Sequence, residues 1–156
     1  MSRYTYILLL LLLLLFGCTE SNRPGDMPKL FPCTVSVIQG GGPLEGAIVT
    51  FHSDSEQKYR PVAYTGADGN AVMQTYGFPG VPIGKYKITV RKVVDDDFVY
   101  RTDEDGIEVI VSSNTYRLVD PLYSDVETTP HEIEITSKRA QAKLDVGEVF
   151  RNRSER

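Results

Sequence analysis

Tryptophan is absent from the 156 residues, and histidine and cysteine occur only twice each, at His52, His131, Cys18 and Cys33. A zinc centre needs three or four converging His, Cys or carboxylate ligands, and these residues show no such spacing. No helical period runs beyond two turns, so no glycine-rich loop opens a helix to hold phosphate. Gly40-Gly41-Gly42 reads as a turn instead. Basic patches are missing too. Lys and Arg are scattered, Lys138-Arg139 reads as a turn, and the formal net charge is −4, all of which argue against a nucleic-acid partner. Ser, His and Asp occur without a nucleophile elbow or other framing motif. The longest apolar run, Ile7 to Phe16, would span only ~15 Å as a helix, about half a hydrocarbon core, so it is no transmembrane anchor. The expectation is no catalytic residue, no metal and no cofactor.

What is present is β pattern. From Lys85, Tyr86, Ile88 and Val90 fall on one face of a strand and Lys87, Thr89 and Arg91 on the other, one face buried and one wet. Thr34–Ile38, Ala47–Phe51, Val62–Thr65 and Ala71–Tyr76 alternate similarly upstream. Gly40–Pro43 and Asp68-Gly69 stand between them, the latter a hairpin signal. Downstream, Ile107–Val111 reads as a strand and Ser112–Thr129 as an irregular crossover. Ile133–Ile135 and Gln141–Val146 are then joined by a turn at Ser137–Arg139. Asp95–Asp97 and Asp103–Asp105 read as a solvated acidic loop, with calcium the competing reading. About seven short strands over 33–148 predict an all-β antiparallel sandwich, with 149–156 as a polar, frayed tail.

The N-terminus reads as an address. Arg3 precedes the ten-residue apolar run, as in a signal peptide over 1–17. Leu15-Phe16-Gly17-Cys18 then resembles the lipobox of bacterial lipoproteins, with a leucine three residues before a cysteine and a small residue just before it. That resemblance implies that Cys18 becomes the acylated first residue, the protein's contact with a lipid bilayer. Thr19 in place of Asp favours the outer over the inner membrane of a bacterial envelope, on the periplasmic side. The competing reading is an ordinary secretory signal with a chance cysteine. Processing would remove Arg3 and no acid, leaving 16 basic against 21 acidic residues, a formal −5. Residues 18–32, with Pro24, Pro28 and Pro32, read as a flexible tether, ~20 Å on average and at most ~43 Å long. Cys33 is left as a lone thiol, expected to be buried.

Gly42-Pro43-Leu44-Glu45-Gly46-Ala47-Ile48-Val49-Thr50-Phe51, Thr65-Gly66-Ala67-Asp68-Gly69 and Gly84-Lys85-Tyr86-Lys87-Ile88-Thr89-Val90 follow one another in a recognisable order. Together they resemble transthyretin-like or carboxypeptidase regulatory-like domains, as found in small lipoproteins of planctomycetes. Such lipoproteins also carry a segment like Pro121–Asp125 before a final hairpin. The resemblance implies a prealbumin-like Greek-key sandwich and no particular reaction. Hydroxyisourate hydrolase shares that fold, but neither Tyr59-Arg60-Pro61 nor Tyr116-Arg117-Leu118 reproduces its terminal Tyr-Arg-Gly-Ser. The reading is a non-catalytic envelope module that binds a protein partner through loops or a sheet edge. Alternatives are a carbohydrate platform built from Tyr59, Tyr64, Tyr76, Tyr100, Tyr116 and Tyr123, or a hydrolase accessory in which His52 or His131 faces Cys33.

Overall fold

The computed structural model describes residues 23–53 and 58–154. The signal peptide, the lipobox Leu15–Cys18 and the start of the tether lie outside them. In chain order the strands are Leu30–Phe31 (β1), Cys33–Gln39 (β2), Gly42–Pro43 (β3), Ile48–Ser53 (β4), Pro61–Tyr64 (β5), Asn70–Val72 (β6), Gln74–Thr75 (β7), Phe78–Pro79 (β8), Val81–Pro82 (β9) and Gly84–Arg91 (β10). Val93–Thr102 (β11), Glu108–Arg117 (β12), the helical turn Pro121–Ser124 (α1), Glu132–Ile135 (β13), Ala140–Asp145 (β14) and Asn152–Arg153 (β15) complete the set. Among the described residues the expected seven strands become fifteen because several are very short. Proline has no N–H for a ladder, and Gly77 and Gly80 take φ of 81° and 113°, so 74–82 breaks into three two-residue pieces.

The all-β expectation holds, and the core lies between two sheets. One is antiparallel in the order β13-β10-β4-β5-β7-β8; the other runs β14-β2-β3, with β6 also on β2. Alternation drives the packing. Val35 and Val37 of β2 and Leu144 of β14 face Val49 and Phe51 of β4 and Tyr86, Ile88 and Val90 of β10, all buried in one cluster. Phe51 and Tyr86 sit with ring centroids 5.6 Å apart, and the Tyr86 hydroxyl donates to the Pro82 carbonyl at 3.0 Å. The Tyr therefore buries its ring without stranding its polar tip.

Four expectations change. First, the sandwich is not wholly antiparallel: β14 lies parallel to β2, Ala140 opposite Cys33 and Leu144 opposite Val37. β13 belongs to the other sheet, so Ser137–Arg139 links two sheets and makes no hairpin. Second, Asp68-Gly69 also crosses between sheets, from β5 to β6. Asp68 accepts the Asn70 N–H as its turn chemistry requires, and the Gly69 carbonyl accepts the Val37 N–H at 2.8 Å. Glycine is needed there: φ is +73° and a Cβ would stand 2.6 Å from the Val37 oxygen. Third, the tether is docked by its end. Met27 and Phe31 are buried, and β1 pairs with β9. Fourth, the wet face of β10 is covered at Thr89, which is 3% exposed. The crossover 118–131 lies over it, held at one end by Leu118 N–H to the Lys92 carbonyl (2.9 Å) and at the other by the Thr129 hydroxyl to the Ile88 carbonyl (2.6 Å).

Thr65 fastens the loop between β3 and β4. Its buried hydroxyl donates to the Leu44 carbonyl at 2.6 Å and accepts the Ala47 N–H at 2.8 Å. Thr65→Val keeps the shape and strands both backbone groups, so it should cost about 2 kcal/mol. Urea unfolding checks this: the midpoint should fall with the slope m unchanged.

Candidate functional site

The acidic loop expected after β10 is a long ribbon. β11 and β12 pair antiparallel from Val93↔Arg117 to Thr102↔Glu108. Asp97 and Phe98 together oppose Ser113, a bulge in which Asp97 takes φ 53°. Such an extra residue bends the strand and increases its twist. A second irregularity leaves Val111 without an opposite residue.

Beyond its root the ribbon is an arm with both faces in solvent. Phe98, Val99 and Tyr100 on β11, and Val109, Ile110 and Val111 on β12, are all exposed, as is Ile107 beside the tip. Neighbouring residues on a strand point to opposite faces, so this run shows that neither face is covered. Among the described residues the arm's sheet runs β11-β12-β15, which leaves β11 as an unpaired edge. A two-stranded ribbon alone is marginal in water, and its root supplies the missing support.

That support comes from the segment expected to fray. β15 pairs with β12, Arg153 opposite Tyr116. Arg151 lies 4.1 Å over the Tyr116 ring and 2.9 Å from the Asp96 carboxylate. The Tyr116 hydroxyl donates to Asp97, and the Thr115 hydroxyl donates to Asp95 at 2.7 Å. The Asp97 N–H and then Arg151 hold the Asp96 carboxyl below the usual carboxylate range. At the far end Asp103 accepts the N–H groups of Asp105 and Ile107, closing the tip. The two acidic clusters therefore stand at opposite ends of the ribbon, roughly 20 Å apart at about 3.3 Å per residue. Among the described residues no three His, Cys, Asp or Glu side chains gather as a metal site would need.

The other candidates are dispersed. Cys33 is buried, as expected, and burial pushes its thiol up to about 11. His52 leaves the opposite face of β4 from the buried Phe51 and bonds the Thr89 hydroxyl at 2.9 Å. His131 stacks on Tyr123 and bonds the Asp145 carbonyl at 3.0 Å. Neither ring bonds the Cys33 thiol, so the pair that a cysteine nucleophile needs is not formed. The six tyrosines do not make one platform. Tyr59 meets Tyr76 edge-on and donates to Asp26, Tyr116 lies under Arg151, Tyr123 stacks on His131, and Tyr64 and Tyr100 stand exposed. The arm's anchor was invisible in sequence because Asp96 and Arg151 are far apart along the chain. Cys18 and its lipobox neighbours Leu15, Phe16 and Gly17 fall outside the described residues. Among those described, no helix is long and apolar enough to cross a membrane.

No family model matches the chain, and no curated protein matches it. Among solved structures, a 9R-lipoxygenase from Cyanothece PCC8801 is similar over 82% of this chain and 18% of its own, at 16% identity. The chain thus spans under a fifth of that enzyme's length, and with a TM-score of 0.35 the likeness carries no argument about fold or activity.

Proposed function

We propose that this protein is a non-catalytic binding module of a bacterial cell envelope, anchored through lipid on Cys18 and engaging a protein partner through the β11–β12 arm. The observation that carries the reading is the arm: apolar on both faces and, among the described residues, unpaired along β11 and braced at its root. Apolar surface of this kind is usually reserved for contact, and an open strand edge is a template for another strand. Asp95, Asp96, Asp97, Asp103, Glu104, Asp105 and Glu108 surround the apolar residues, with Arg101 the sole cation from 95 to 111. That charge repels an anionic bilayer and suits a partner whose apolar face is rimmed by Lys and Arg. The motif order over 42–90 supports a prealbumin-like body of the transthyretin-like or carboxypeptidase regulatory-like kind. Leu15–Cys18 supports attachment on the periplasmic side, at the outer membrane over the inner.

A photo-crosslinking amino acid placed at Tyr100 should give a discrete higher-mass adduct in the envelope, and one placed at Tyr64 on the body should not. Adding Phe98→Asp and Ile110→Asp should cut the Tyr100 adduct about tenfold, because interface energy concentrates in a few apolar anchors. Equal adducts from both positions, or indifference to the added charges, would remove the arm from the proposal.

A further inference from the structure

A second feature lies at the arm's root, beside the crossover. A cavity of about 460 Å³ opens between the outer face of the large sheet and residues 117–126. Arg60, Arg91, Lys92 and Arg117 all line it, against one acid, Asp125. In a chain with 21 acids and 17 Lys and Arg, such a gathering goes against composition. Strand register creates it. Arg91 closes β10, Lys92 follows it where the arm departs, and Val93 pairs with Arg117, bringing the ends of two strands together. Arg60 stands just before β5, the strand that pairs with β4 next to His52.

Among the described residues no carboxylate forms an ion pair with any of the four cations. The ion pairs among the described residues are Lys58–Asp26 and Arg151–Asp96, both elsewhere. Asp125 is partly engaged, accepting the Glu127 N–H at 2.9 Å. Four like charges held around one concavity repel each other and raise the local potential for a counter-charge. The floor adds hydrogen-bonding groups in Thr50 and the His52–Thr89 pair, and Val119 and Val126 give an apolar wall. Three guanidinium forks match the oxygens of phosphate, sulfate or carboxylate two at a time. The volume exceeds what one small oxyanion fills and lies in the ordinary range of small-molecule sites.

We infer that this cavity is a binding site for a polyanionic ligand carrying at least two phosphate, sulfate or carboxylate groups, held by Arg60, Arg91, Lys92 and Arg117. The site meets the ribbon only at its root, through Val93 and Arg117, and uses none of the exposed apolar residues beyond it, so its failure would leave the arm reading untouched. The same chemistry is offered by a free oxyanion and by an anionic lipid headgroup, and one assay distinguishes them. The full chain is treated with an arginine-specific dicarbonyl reagent and its arginines are read by mass spectrometry. The reaction is run with inorganic pyrophosphate, and separately in phosphatidylglycerol or phosphatidylcholine vesicles. Arg60, Arg91 and Arg117 should be protected together, with Arg139 and Arg101 unprotected. Protection by pyrophosphate assigns a free ligand, and protection in phosphatidylglycerol vesicles alone assigns a headgroup. Calorimetry with pyrophosphate or the vesicles should then show about tenfold weaker binding in Arg91→Gln/Arg117→Gln. A Lys138→Gln/Arg139→Gln chain of equal charge should bind as the parent does. Protection of no arginine, or equal weakening in both double variants, overturns the site. Because the protection assay uses the parent chain, it decides the matter even where a variant folds poorly.

Discussion

Cys18→Ala is expected to move the protein from the detergent phase to the aqueous phase almost completely. Membrane attachment gains about 0.8 kcal/mol for each buried methylene, so two or three acyl chains hold a protein effectively without release, where one is marginal. The ten apolar residues Ile7–Phe16 cannot replace them, since as a helix they reach only ~15 Å. Phase partition followed by mass spectrometry of the first mature residue reads the result directly. Retention of the Cys18→Ala chain in the membrane, or an unmodified Cys18 in the parent, would end the lipid-anchor proposal.

Phe51→Ala carries the largest expected loss of stability. Phe51 is wholly buried, between the sheets and against Tyr86. Truncating such a ring removes its transfer energy and leaves a cavity that rigid strands cannot close, ~3–5 kcal/mol in all. For a domain of this size the thermal midpoint should drop by roughly 10–20 °C. Phe98→Ala on the arm is the control. Its ring is 41% exposed, and its removal should change stability by no more than about 0.5 kcal/mol. Calorimetric scans of the two variants check the contrast. Equal losses would mean that the arm packs on the body and is not a free surface.

The parts of this fold legible in sequence are those whose two faces meet different surroundings. β2, β4 and β10 each bury one face, and their alternation marks them within a residue or two. β11 and β12 expose both faces: Ile107–Val111 is still legible as the start of β12, but Phe98-Val99-Tyr100 carries no period, the aspartates disguise β11 as a loop, and Ser112–Arg117 reads as crossover. Thr89 looked wet because a strand pattern is silent about what a later crossover lays on it. The parallel partnership of β14 with β2 is likewise beyond local reading, since alternation fixes a strand's face and not its neighbour. The basic cavity was hidden for a related reason. Its four cations are scattered from Arg60 to Arg117, and only register brings them together.

The partnership between β2 and β14 also bears on when the molecule can become itself. Cys33 finds its neighbour Ala140 more than a hundred positions later, and the body's first long strand stays open on that edge until β14 has emerged. Closing so large a loop comes at an entropic cost before any contact rewards it, which makes maturation slow. A nascent chain of this design keeps its first sheet incomplete through more than a hundred residues of synthesis after β2, and locks once β14 docks.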